Sequence, residues 1–182
     1  MGPGKVVLLL DSAAASKAIV YDKRDAFFEK VTSGEMSIQM KQELAPGQTR
    51  ATLLPEYIRF LQSDVLDFNT EEVKFMTGIV EKMYKTVGSV NNAILPDTLK
   101  LIKTKGRHYG DGVWYTRENC IIIPMNELAS RKTNPFTSTM YHELFHVYSR
   151  LNPEKSARLY KWIGCEAIGY EDLKMPETPA QR

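Results

Sequence analysis

The chain has 182 residues, enough for one domain with a hydrophobic core, and its 43% apolar and 25% charged content exclude wholesale disorder. Its 24 basic and 22 acidic residues leave a formal charge of +2, with the bases scattered, which argues against a nucleic-acid or anionic-membrane partner. Two cysteines, Cys120 and Cys165, with no CxxC pair, rule out a disulfide framework and a thiolate zinc site.

Free Cys behaves as a small hydrophobe, so two buried thiols are favoured over one bridge. No run approaches the roughly 20 apolar residues of a spanning helix. The apolar stretch from Val6 to Leu10 is shorter than the roughly 7–15 residues of an export-signal core. It reads as a short strand, a loose N-terminal segment or the remnant of a longer export signal. The expectation is a soluble chain with its compartment open.

Residues 1–46 read as a loosely packed segment holding one helix over residues 25–31. They end at the break Ala45-Pro46-Gly47-Gln48. A helix over residues 55–66 follows from Pro55 at its start and from Ile58, Leu61 and Val65 at helical spacing. Thr70 then reads as an N-cap, with Glu71 and Glu72 in a first turn whose dipole favours acids. Val73, Met76, Val80, Met83 and Val87 follow at three- and four-residue steps, a core stripe ending near Gly88.

After Pro96 the texture turns to strands: residues 99–104, 113–116 and 119–124, with a glycine-bracketed loop over residues 106–112. The run Cys120-Ile121-Ile122-Ile123 predicts a strand covered on both faces, and residues 113–116 a short edge strand. Asn134-Pro135 opens a helix running to about Leu151, and Asn152-Pro153 opens another to about Gly164. The tail over residues 171–182 reads as a loop or frayed end. The fold class is α+β, mostly helical, with a small mixed sheet of about three strands in a single domain over residues 1–182.

The fourth of these helices carries His142-Glu143-Leu144-Phe145-His146. Two imidazoles four residues apart lie on adjacent turns of one helix face, so both can reach one ion. The carboxylate after the first can reach a water held there. At about 100° per residue, His146 falls near 40° from His142 and Ser149 near −20°. Met140, Leu144, Val147 and Leu151 fall between about 140° and 200°. The apolar stripe therefore opposes the histidines. The helix can bury Leu144 and present His142 and His146 to a cleft. Tyr141 and Tyr148 fall away from the ligands and read as packing residues.

HELFH on such a helix, after helices and a strand pair, resembles the zincin metallopeptidases. The chain is more closely similar to a set of poorly characterised bacterial zinc metallopeptidases. The similarity lies in Trp114-Tyr115-Thr116-Arg117, in Ile121-Ile122-Ile123-Pro124, in HELFHVYSR from His142 to Arg150, in Asn152-Pro153, and in Leu159-Tyr160 with Ile163-Gly164. It covers residues 53–164.

The resemblance implies a zincin-like half-domain, a Zn²⁺ cofactor and a peptide or protein substrate paired to the edge strand. It implies His142 and His146 as ligands and Glu143 as general base. The third ligand of this group lies on a later helix. Glu166, 20 residues after His146, is the candidate here, ahead of Glu154, Glu171 and Asp172, although Gly164 ends the helix before it. The chain also fits a relative truncated at the C-terminus.

Tyr115, Arg117 and His108 are candidates for a second donor to the substrate. The plainer readings are a packed aromatic for Tyr115 and an exposed loop residue for His108. The alternative function is a catalytically inactive or incomplete relative serving as a binding or scaffold domain. A third reading is an unrelated helical interaction protein with a chance motif.

Overall fold

The computed structural model describes residues 4–130, 132–162, 164 and 165. The chain divides into two compact units, Met1–Leu151 and Asn152–Arg182.

The first unit is built on a mixed sheet of five strands: β1 (Val6–Leu9), β2 (Val65–Leu66), β3 (Thr98–Thr104), β4 (Tyr115–Arg117) and β5 (Cys120–Pro124). β1 and β5 flank β3 in parallel, β2 pairs antiparallel with the last two residues of β3, and β4 pairs antiparallel with β5 at the sheet's edge. The two strands beyond the expected three, β1 and β2, exist only through pairing with β3. Val6 faces Thr98 and Val65 faces Thr104 in the register.

Helices cover both faces. On one lie α1 (Ser12–Ala18), α2 (Phe27–Lys30), α3 (Ser33–Met40) and α4 (Arg50–Asp64). Ala15, Ile19, Met36, Leu53, Tyr57 and Leu61 meet Ile102, Cys120 and Ile122 there. On the other lie α5 (Thr70–Asn91), α6 (Met125–Ser130) and α7 (Thr133–Leu151). Met76, Met83, Leu128, Phe136, Met140, Leu144 and Val147 meet Leu99, Leu101, Ile121 and Ile123. Alternate residues of β3 and β5 thus enter opposite cores, which is why the Cys120-Ile121-Ile122-Ile123 run is apolar throughout.

Residues 1–46 are not loosely packed. They supply β1, α1, α2 and α3, and Ala15, Ile19 and Met36 are fully buried. The reason is pairing and burial at long range: β1 joins a strand about ninety residues on in sequence, and α1 and α3 close the second core.

The caps explain where helices begin. Thr32 with Glu35, Thr49 with Thr52 and Asn69 with Glu72 each form a reciprocal capping box, satisfying donors that a helix start leaves orphaned. α4 therefore starts at Arg50, a turn before Pro55, and α5 is capped by Asn69 rather than Thr70. The second unit contributes α8 (Pro153–Trp162), which opens on a proline at its first position. It closes through Gly164 at φ +81°, where the Gly164 and Cys165 amides donate back to Lys161 and Tyr160.

Candidate metal centre

α7 is oriented by its apolar stripe. Phe136, Met140, Leu144 and Val147 are buried against α5 and the sheet. Burying a side chain such as Leu144 is worth about 1.5–3 kcal/mol, which fixes the helix about its axis. The opposite face carries the histidines: His142 is exposed and His146 half-buried. Their Nε2 atoms lie 2.9 Å apart, with the rings nearly perpendicular at 84°. Two imidazoles on one tetrahedral zinc, each at 2.0–2.1 Å, hold their nitrogens about 3.3 Å apart. The two nitrogens, here sharing a hydrogen bond, thus lie within about half an ångström of the required spacing. Two neutral nitrogen donors suit zinc.

Glu143 behaves differently from its neighbours. As a residue it is 5% exposed. Burial pushes its pKa above the usual carboxylate range, partly offset by His142 and Arg150. Burial also lowers the pKa of His146, and His142 and Arg150 add to this. A lowered pKa keeps the imidazole neutral, the form that ligates. Arg150 ties the end of α7 to β4 by donating to Thr116 Oγ1 at 2.8 Å and to Asp25. The hydroxyl of Ser149, on the histidine face, is buried without a partner among the described residues.

Among the described residues, no third His, Cys, Asp or Glu joins the two histidines in a metal-holding group. Glu166, Glu171 and Asp172 lie outside the described residues. Glu154 sits in the first turn of α8.

The structure does not bring Tyr115 and Arg117 to the histidines. The pleat of β4 turns both toward the core beneath α1–α4, away from α7. The Tyr115 hydroxyl hydrogen-bonds His108 Nε2 at 2.8 Å. The Arg117 guanidinium sits 4.3 and 4.5 Å from the rings of Phe27 and Phe28 and donates to the Ile19 carbonyl. Thr116, between them, points to α7.

His108 is neither exposed nor near the histidines. It is 4% exposed, and its Nδ1 lies 2.6 Å from Asp64 Oδ2. Asp64 is fully buried and also accepts from the Arg107 side chain at 2.8 Å. Burial alone would raise Asp64, but hydrogen bonds from His108 and Arg107 outweigh it and hold the carboxyl below its usual range. The carboxylate can only accept, so His108 carries a proton on Nδ1, while its Nε2 hydrogen-bonds the Tyr115 hydroxyl. This Asp64–His108–Tyr115 chain was missed in the sequence. Its one local signal was the glycine-bracketed loop. Gly106 at φ +76° turns the chain so tightly that a Cβ there would lie 3.1 Å from the Gly110 carbonyl oxygen.

Both cysteines are free, Cys120 buried and Cys165 exposed, which corrects the expectation of two buried thiols. Among the described residues no helix is long and apolar enough to cross a membrane. Comparison with known protein families, with curated proteins and with solved structures finds no match to this chain.

Proposed function

We propose that the chain is a zinc-dependent peptide hydrolase of zincin type, with His142 and His146 as metal ligands and Glu143 as general base. The observation that carries this reading is the paired geometry on α7. Two imidazole nitrogens lie 2.9 Å apart on the open face, and the residue between them, Glu143, is largely buried with its carboxyl pKa raised by that burial. A carboxyl held above its usual range beside two paired imidazoles fits a base awaiting a proton.

Zinc, when bound, supplies Lewis-acid polarisation of a water and of the peptide carbonyl. Glu143 takes a proton from the attacking water and passes it to the leaving amine, as the C–O bond forms and the C–N bond breaks. The raised pKa of Glu143 makes it a stronger base than an exposed carboxylate. His142 and His146 hold the metal in their neutral forms. The antiparallel edge strand β4, beside α7, supports a zincin-like placement of an extended peptide along the sheet's edge. Glu166 is the proposed third ligand.

One observation favours the alternative of a catalytically inactive binding or scaffold relative: no third donor converges on the histidines among the described residues. The test is the same for both. Protein purified without chelator is assayed for bound zinc and for cleavage of a peptide library. The hydrolase reading expects zinc near one equivalent, cleavage abolished in Glu143→Gln with zinc retained, and weakened zinc binding in Glu166→Gln. Zinc without cleavage supports the scaffold reading. Absence of zinc, with no stabilisation by added zinc, refutes both.

A further inference from the structure

We propose that His108 is a positioning residue for the edge strand β4: held by Asp64, it fixes Tyr115 and so places the backbone of Thr116 beside the HELFH helix. This rests on the peptide-hydrolase reading and extends it to residues far from the metal ligands.

The strand itself poses the problem. β4 is three residues long and pairs with β5 along one edge only. Such a strand frays unless something else holds it. Here every residue of the strand is held through a side chain. Tyr115 hydrogen-bonds His108, Thr116 accepts from Arg150, and Arg117 donates to Ile19 while stacking on Phe27 and Phe28. The ties come from both faces of the sheet, so β4 is clamped between them.

The register shows what the clamp presents. Arg117 faces Cys120 across the two-residue turn Glu118-Asn119, with Glu118 at φ +50°. The Asn119 carbonyl bonds back to Lys100 on β3. The hydrogen-bonding groups of Cys120 and Ile122 therefore turn to β4, where they meet Arg117 and Tyr115. The N–H and C=O of Thr116 are left directed away from β5, toward the sheet's open edge. A peptide added along that edge meets the Thr116 pair, one side-chain tie away from the helix that carries the metal ligands.

The Asp64–His108–Tyr115 chain resembles a nucleophile with its base and orienting acid, but it cannot act directly on a substrate. The Tyr115 phenol is committed to His108, and burial holds it well above its usual range. Its route to function runs through the strand it anchors. A buried polar chain of this kind is costly unless every member is satisfied, and when satisfied it specifies one arrangement. Apolar packing could hold Tyr115 in the core. A hydrogen bond to a ring whose tautomer Asp64 sets also fixes where the phenol oxygen lies, and so the position of β4 along the sheet. Small errors in such placement weaken substrate binding or turnover strongly.

The test uses the full chain and two variants. Tyr115→Phe deletes only the hydroxyl, and His108→Asn shortens the reach to Tyr115 while keeping a donor for Asp64. Amide exchange is read at Tyr115 and Arg117 on β4, with Leu101 and Ile121, whose amides face away from β4, as internal reference. Zinc affinity, kcat and KM are measured on a peptide that the unaltered protein cleaves. Losing one such bond is worth about a tenfold change. The proposal expects β4 exchange to quicken about tenfold, the reference amides and zinc affinity to hold, and KM to rise with kcat unchanged. Exchange that quickens equally everywhere makes His108 ordinary core glue and overturns the proposal. So does unchanged β4 exchange, or a loosened β4 with unchanged KM. If the unaltered protein cleaves no peptide, the hydrolase reading falls on its own. The exchange result then decides alone whether His108 holds β4.

Discussion

Glu143→Gln should stabilise the metal-free fold while abolishing hydrolysis. The residue is 5% exposed, and burial raises its carboxyl pKa. Leaving a charged group so poorly solvated costs about 1–3 kcal/mol. His142 and Arg150 return part of this, so a net gain of about 1–2 kcal/mol on neutralisation is expected. For a domain of this size that raises Tm by about 2–8 °C.

The pH dependence follows from the direction of the shift. The folded-state pKa of Glu143 lies above the unfolded value, so the folded protein prefers the protonated form. Above the folded pKa the ionised carboxylate penalises the fold in full. As pH falls through that value toward the unfolded pKa of about 4.3, the unaltered protein takes up a proton and the penalty disappears. The gap between variant and unaltered protein is therefore widest near neutrality and closes toward pH 4. Added zinc should narrow it too, because a cation beside the carboxylate offsets its desolvation. Thermal unfolding by circular dichroism, with chelator and with zinc, across pH 4–8 reads all three effects. A Tm that falls on substitution, or a gain equal at pH 4 and pH 7, refutes the account of Glu143 as a base whose charged form is disfavoured by burial.

His142→Ala and His146→Ala should each remove the stabilisation conferred by zinc, about 2.7 kcal/mol for the unaltered protein at a hundredfold excess over Kd, as read by Tm with and without metal. Asp64→Ala should cost about 3–5 kcal/mol, because it leaves Arg107 and a buried His108 unpaired; denaturant unfolding measures it. The same carboxyl has a folded pKa below its unfolded value, so its contribution is present above about pH 4 and lost as pH falls further. In the native protein one thiol should react quickly with a thiol reagent and the second only on unfolding, since Cys165 is exposed while burial pushes the Cys120 thiol up to about 11.

What the sequence by itself determined is the part of the protein set by local periodicity. The 3.6-residue repeat buried Met140, Leu144 and Val147 and turned His142 and His146 outward, because neighbouring turns of one helix need no distant partner to share a face. The stripe along α5 and the two-sided strand at β5 were legible for the same reason, although Val73 at the head of the stripe is 41% exposed. Tertiary structure alone decided the rest. β1 and β2 became strands through partners in β3. Asp64 buried His108 from forty-four positions away. Tyr115 and Arg117, read as lining the cleft, went to the other face because successive residues of a strand point to opposite sides. Which side faces α7 is set by the register with β5, and no local pattern encodes that choice.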